Sequence, residues 1–269
     1  MQSIQTLSLT PNVKSWLAKS RYPRLLHVFD HACNLINEHR EVLSVVTAQI
    51  GNGPFNLVVE NEVYFSEYLT CESPVIVSHH HLHLGDLIID TADAPFWSPC
   101  PDWEMLHARR NHILLQLNQL RITNDREASL SDQFPLSSLS FALVSADIPT
   151  ALALTAQLAG LGPGLTPSGD DILIGALYAT WIVHSPEFAS FITREIANTA
   201  APLTTSLSAA LLRSAGKGEA GILWHELFRA LIAGEAIQHP VSRLLSVGET
   251  SGADAMGGFM GIFNTTMFR

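Results

Sequence analysis

The sequence predicts an α+β protein: a mostly antiparallel β half over residues 1–100, then a C-terminal all-helical bundle over residues 101–269 that carries a Gly-rich loop. Three observations carry that expectation. The first hundred residues break into short apolar or alternating runs separated by turn signals such as Gly51-Asn52-Gly53-Pro54. From Trp103 onward, apolar residues recur at helical spacing. Hydroxyl-rich helix starts and glycine stops then succeed one another to the C-terminus.

In the β half, Pro11 to Ser20 fits a short helix, and Leu25 to Ile36 fits either a helical stripe or strands. The polar Asn37-Glu38-His39-Arg40 ahead of Val42-Leu43-Ser44-Val45-Val46 favours a hairpin. Phe55 to Glu60, Val75 to Val77 and Leu82 to Asp90 add strands, the last with a bend or bulge at Gly85-Asp86. Asp93 to Pro99, with two prolines and two aromatics, is a rigid connector, expected to plug one half against the other through Trp97. Trp103 to Arg121 is an amphipathic helix and Thr123 to Ser140 a polar linker. Helices follow at Pro149–Leu158, Ile172–Val183, Phe188–Ala200, Thr204–Ala215 and Ile222–Ala233, then a glycine-bearing apolar helix from Leu244 to the end.

With 47% hydrophobic and 15% charged residues the chain buries a large core. A net charge of −10 argues against nucleic acid, whose phosphates need a basic surface. Three separated cysteines, Cys33, Cys71 and Cys100, indicate neither a disulfide framework nor a zinc site. The N-terminus lacks the apolar core of a signal peptide and the longest apolar run is too short to span a bilayer, so a cytoplasmic protein without membrane contact is expected. Few charges with a positive mean hydropathy suggest surface covered by a partner subunit, although a fully buried helix explains the same value.

The richest chemistry lies in Gly160-Leu161-Gly162-Pro163-Gly164-Leu165-Thr166-Pro167-Ser168-Gly169-Asp170-Asp171. Glycines let a ligand approach the main chain, and a helix start offers unpaired N–H groups to an anion. Thr166 or Ser168 is the expected cap, with Pro167 in the first turn. Asp170 and Asp171 suit the dipole and are candidate ligands of Mg²⁺. The plain alternative is a well-capped buried helix. Two further starts share this polarity: Thr204-Thr205-Ser206-Leu207-Ser208, and Gly248-Glu249-Thr250-Ser251-Gly252-Ala253-Asp254. The first and third repeat Thr, Ser, Gly and Asp in order, with glycines following, which hints at an internal duplication.

One capping residue per start is enough, so the surplus of hydroxyls points to an anion pocket if the starts converge. Its candidate anion-binding residues are Gly162, Gly164, Thr166, Ser168, Thr205, Ser206, Ser208, Thr250 and Ser251. Asp170, Asp171 and Asp254 are the candidate catalytic groups, for proton transfer or metal binding. Arg213 and Lys217 are the nearest cations, more readily explained as solvated surface. His79, His81 and His83 share a strand face without a matching acid or cysteine, so a solvated face outweighs a metal site. Signatures of P-loop, zinc-protease and serine-hydrolase chemistry are missing.

At these residues the sequence resembles the AllH family of bacterial proteins, found with anaerobic allantoin-utilisation genes. The likeness rests on Gly162 to Ser168 with Asp170-Asp171, on Thr204-Thr205 with Ser208, and on Gly248 with Thr250-Ser251-Gly252-Ala253-Asp254. More loosely it includes Asn34-Leu35 and Gly53-Pro54. The resemblance implies a subunit of oxamate carbamoyltransferase in allantoin and purine catabolism, which interconverts oxalurate plus phosphate with oxamate plus carbamoyl phosphate. It also implies FdrA-like and related carbamoyltransferase subunits as partners. Small anions suit a hydroxyl-lined pocket, but the chain offers no arginine cluster, so cations are expected from a partner. The alternatives are a non-catalytic scaffold or regulatory subunit, and a stand-alone metal-assisted phosphoryl- or acyl-transfer enzyme.

Overall fold

The computed structural model describes residues 2–60, 63–78, 80–119 and 136–266. The chain divides into two compact units, Met1–Pro99 and Cys100–Arg269.

The first unit is an eight-stranded sheet in the order β2-β3-β4-β5-β1-β8-β7-β6. Its strands are β1 (Gln2–Leu9), β2 (Arg24–Val28), β3 (Ala32–Ile36), β4 (Val42–Thr47), β5 (Asn56–Val59), β6 (Val75–Val77), β7 (His81–Leu84) and β8 (Leu87–Asp90). Pairings are antiparallel except β1 with β8 and β4 with β5. The alternation of side chains sends Cys33, Leu35, Leu43, Val45, Leu57 and Val59 into one core with Phe65, Leu82, Leu84, Leu87 and Ile89. Helix α1 (Pro11–Lys19) starts at Thr10, whose hydroxyl accepts from the Val13 amide, and buries Val13 and Trp16, one turn apart. A one-turn helix α2 (Phe65–Tyr68) buries Phe65.

Several expectations hold here and one needs correction. The hairpin between β3 and β4 turns on Asn37, whose side-chain oxygen accepts from the amides of His39 and Glu41, with Arg40 at φ 61°. Leu82 to Asp90 is not one bent strand. Gly85, at φ 53°, reverses the chain into the β7–β8 hairpin. Strand β1 carried no readable signal because a register shift between Thr6 and Ser8 interrupts its alternation. The connector after β8 runs along the end of β1: the Leu9 amide donates to Pro95 and the Trp97 amide to Leu9.

The second unit is helical: α3 (Trp103–Ala108), α4 (Arg110–Gln119), α5 (Leu136–Val144), α6 (Ile148–Leu158), α7 (Ser168–Val183), α8 (Pro186–Ala200), α9 (Ser206–Gly216), α10 (Ile222–Ala233), α11 (Gln238–Leu245) and α12 (Ser251–Thr266), with a 3₁₀ turn at Ala201–Leu203. The expected helix from Trp103 breaks at Arg109, and its last two residues lie outside the described ones. The expected linker ends early, because Leu136, Leu139 and Ser140 are buried in α5; residues 123–135 are outside the described set. Leu244 belongs to α11, a short helix that buries Val241 and Leu244, rather than to the final helix.

Helix α7 is buried nearly all round, as its lack of a polar stripe requires. Its most extensive partner is α12. The two run in the same direction, since Ser251 lies beside Thr166, and Ala255 and Phe259 beside Gly175. A Cβ on Gly175 would lie 1.7 Å from the Ala255 carbonyl oxygen, so only glycine admits this approach. Around them Trp103 stacks on Trp181 with ring centroids 5.4 Å apart and donates its indole N–H to the Gly218 carbonyl at 2.8 Å.

Candidate functional site

The site forms where α7, α9 and α12 begin. Between α6 and α7 the chain passes through Gly160, Gly162 and Gly164 at φ 75°, 114° and 93°, left-handed conformations that let seven residues coil over the head of α7. Pro167, not Thr166 or Ser168, stands at the cap position, and no side chain caps the helix. The carbonyl of Pro167 instead accepts from the amides of Asp170 and Asp171, and the Leu161 carbonyl accepts from Gly169. The amides of Gly169, Asp170 and Asp171 are therefore engaged within the chain. The loop ahead of them differs. Among the described residues the amides of Gly162, Gly164, Leu165 and Thr166 donate to no protein oxygen.

Asp170 is fully buried and fastens this loop to α9. One carboxylate oxygen accepts from the Gly160 amide at 2.9 Å; the other accepts from Ser208 Oγ at 2.7 Å and from Thr204 Oγ1. Thr205 adds a second tie: its hydroxyl donates to the Leu165 carbonyl at 2.6 Å and accepts from the Ser208 amide at 3.1 Å, capping α9. A third joins α12, for Thr166 Oγ1 and Ser251 Oγ lie 3.0 Å apart. The three helix starts thus meet at one loop.

Asp171 occupies the centre. It is 5% exposed, its Oδ2 has no hydrogen-bond partner, and burial pushes its carboxyl up to about 8. The hydroxyls of Ser251 and Thr166 oppose that rise, while the charges of Asp254 and Asp170 reinforce it. Asp254, from the first turn of α12, is 4% exposed and also keeps an Oδ2 without a partner. A carboxyl raised toward neutral pH beside two hydroxyls can move a proton, and loop amides without a protein acceptor can hold an anion.

Residues 158–263, which span the loop, every helix start around it and both carboxyls, match the family model described as oxamate carbamoyltransferase subunit AllH. Residues 5–96 match the AllH family N-terminal domain. The chain belongs to the AllH family. Its role is accordingly that of an enzyme subunit. No solved structure matches it.

Within this AllH chain the sequence-predicted residues sort by geometry. Gly162, Gly164, Thr166, Ser168, Thr205, Ser208, Ser251, Asp170, Asp171 and Asp254 gather around the loop. Ser206 and Thr250 lie beside them but make no side-chain hydrogen bond among the described residues. Thr204 and the Gly160 amide, both partners of Asp170, lie in the singled-out stretches but are not among the candidate anion-binding residues. Arg213 and Lys217 are exposed at the far end of α9, away from the loop. His81 and His83 have ring centroids 6.1 Å apart, and His79 lies outside the described residues. No three His, Cys, Asp or Glu side chains among the described residues form a metal-ligand group, and no described helix is long and apolar enough to cross a membrane.

Proposed function

We propose that this AllH chain supplies the anion- and proton-handling part of an oxamate carbamoyltransferase that converts oxalurate and phosphate to oxamate and carbamoyl phosphate. Two observations support it: the amides of Gly162, Gly164, Leu165 and Thr166 donate to no oxygen of the described residues, and the buried Asp171 stands beside the Thr166–Ser251 hydroxyl pair with its carboxyl pushed up to about 8 by burial. In this scheme the amides of Gly162 to Thr166 hold phosphate. A phosphate oxygen attacks the carbamoyl carbon of oxalurate, forming the C–O bond while the C–N bond to the oxamate nitrogen breaks. Asp171 gives its proton to that nitrogen and regains one from the attacking hydrogen phosphate, so atoms and charge balance.

Two features bear on partners and cofactors. No lysine or arginine among the described residues forms an ion pair or hydrogen bond with the loop, so cations for two anionic substrates come from partner subunits, FdrA-like chains in this proposal. Of the two expected Mg²⁺ ligands, Asp170 has both oxygens engaged and Asp171 keeps one open. With so few protein ligands Mg²⁺ would retain most of its water and be carried largely by phosphate.

The test is phosphorolysis of oxalurate by the complex reconstituted with its partner subunits. Asp171→Asn is expected to lower kcat by about 10²- to 10⁴-fold without unfolding the chain, and Gly164→Ala, which removes a left-handed glycine, to weaken phosphate binding. A scaffold reading has one observation of its own, the engagement of the Gly169, Asp170 and Asp171 amides within the chain. Full activity of both variants would establish the scaffold and end the catalytic proposal.

A further inference from the structure

The exposed large apolar side chains of the second unit are unevenly spread. Among the described residues four occur singly, one each on α3, α4, α5 and α8, as on any protein surface. The other four, Leu161, Leu203, Leu245 and Val247, are 38–50% exposed and stand in the three segments that lead into α7, α9 and α12.

The fold brings those segments together. Leu161 and Val247 hold equivalent places: a Cβ on Gly169, the second residue of α7, would lie 3.3 Å from Leu161 Cβ, and one on Gly252, the second residue of α12, 3.3 Å from Val247 Cβ. The contacts between the two helices are reciprocal, Gly175 abutting the Ala255 carbonyl and Gly258 the Ile172 carbonyl, so α7 and α12 start level, with the Thr166 and Ser251 hydroxyls 3.0 Å apart between them. Leu203 comes in from a third side, its carbonyl against Gly160, the neighbour of Leu161. An apolar rim thus borders the loop whose amides find no protein acceptor among the described residues.

Every charged residue in these segments is acidic. Residues 160–171, 201–208 and 245–254 contain Asp170, Asp171, Glu249 and Asp254, with no lysine, arginine or histidine. Glu249 is exposed and forms no ion pair among the described residues. Arg243, two residues before Leu245, is held by Glu226, and Arg213 and Lys217 belong to the far end of α9. Covering this surface favours apolar groups at the rim and a positive charge within it.

We infer that the rim is the docking face for another subunit of the carbamoyltransferase, one that lays an apolar surface on Leu161, Leu203, Leu245 and Val247 and projects an arginine or lysine between them, beside Glu249 and over the loop amides. Membership of the chain in a family of enzyme subunits supplies the partner, and the cation-free acidic interior fixes the partner's charge. A second copy docked by the same face would set acid against acid. The docking stands on exposure and charge; only the use of the inserted cation, to hold anionic substrates, rests on the function proposed above.

The test uses the full-length chain and the complex reconstituted with its partner subunits. A photoreactive benzophenone residue in place of Val247 is expected to cross-link a partner subunit, at a segment carrying arginine or lysine. Leu203→Glu should weaken assembly by about tenfold or more, read by light scattering without substrate, while Phe191→Glu, comparably exposed on α8, leaves it unchanged. Glu249→Lys should weaken assembly as well and flatten its dependence on salt. Circular dichroism of the free chain checks that each variant is folded, and Leu245→Glu takes the place of Leu203→Glu if that variant is not. A cross-link to a second copy of this chain, a cross-linked segment without a basic residue, or no cross-link in the assembled complex overturns the docking face. So does assembly that either rim variant leaves intact. Weakened assembly by Leu203→Glu together with full activity of Asp171→Asn and Gly164→Ala would uphold the docking face and refute only the function proposed for the loop.

Discussion

Replacing Asp170 separates its fastening role from its charge. Three donors converge on this fully buried carboxylate: the Gly160 amide and the hydroxyls of Thr204 and Ser208. Hydrogen bonds to a charged acceptor contribute about 1.5–3 kcal/mol each. They share one acceptor and are not additive, so Asp170→Ala is expected to cost about 4–6 kcal/mol. That is a large part of the ~5–15 kcal/mol that holds a domain together. Asp170→Asn keeps the shape and the bond from Gly160, and asks only that the two hydroxyls turn to accept from its amide; about 1–2 kcal/mol is expected. The assay is urea unfolding followed by far-ultraviolet circular dichroism, to which the helical unit gives most of the signal. An Ala variant within about 1 kcal/mol of the parent would refute the fastening role. An Asn variant as unstable as the Ala variant would show that charge, not geometry, matters.

Gly175→Ala and Gly258→Ala should each lower stability by about 1–3 kcal/mol or somewhat more, because the new methyls would lie 1.7 Å and 2.0 Å from facing carbonyl oxygens. Thermal melts check this, and a large cost at one position with none at the other would contradict the reciprocal contact. Asp171 gives a pH signature. An acid whose pKa rises on folding, here from 3.8 to about 8, holds more protons folded than unfolded between those values, so stability falls by up to about 1.4 kcal/mol per pH unit through that window. Asp171→Asn, always neutral, should match the parent near the lower end and exceed it above the upper end, as read by urea midpoints across pH; parallel profiles for the two proteins would remove the buried acid. Gly234→Ala, at the left-handed stop of α10 with φ 72°, should cost about 1 kcal/mol in urea unfolding and leave phosphate affinity unchanged.

How much of this was legible depended on whether a feature is local. The hairpin turn at Asn37, the stop at Gly234 and the end of α7 at Val183 are written in neighbouring residues and were readable. The surplus hydroxyls at three helix starts pointed to the right place, because one cap per helix leaves the others to be explained by contact with something else. Spacing did not distinguish Asp170 from Asp171. Consecutive helical residues face different neighbours, and only the fold shows that the first is held by three donors while the second keeps an open oxygen. Strand β1 was hidden by its register shift, and α11 by its brevity. The division of Trp103–Gln119 at Arg109 is likewise invisible to a periodicity that continues across it.

The turn at Ala201–Leu203 has a mechanical consequence. Its Leu203 side chain is half exposed, while the Leu203 carbonyl lies against Gly160 so closely that a Cβ there would stand 2.5 Å from it. The next residue, Thr204, grips Asp170. The surface at Leu203 and the glycine coil are therefore joined through a single stretch of backbone, which abuts Gly160 on one side and holds Asp170 on the other.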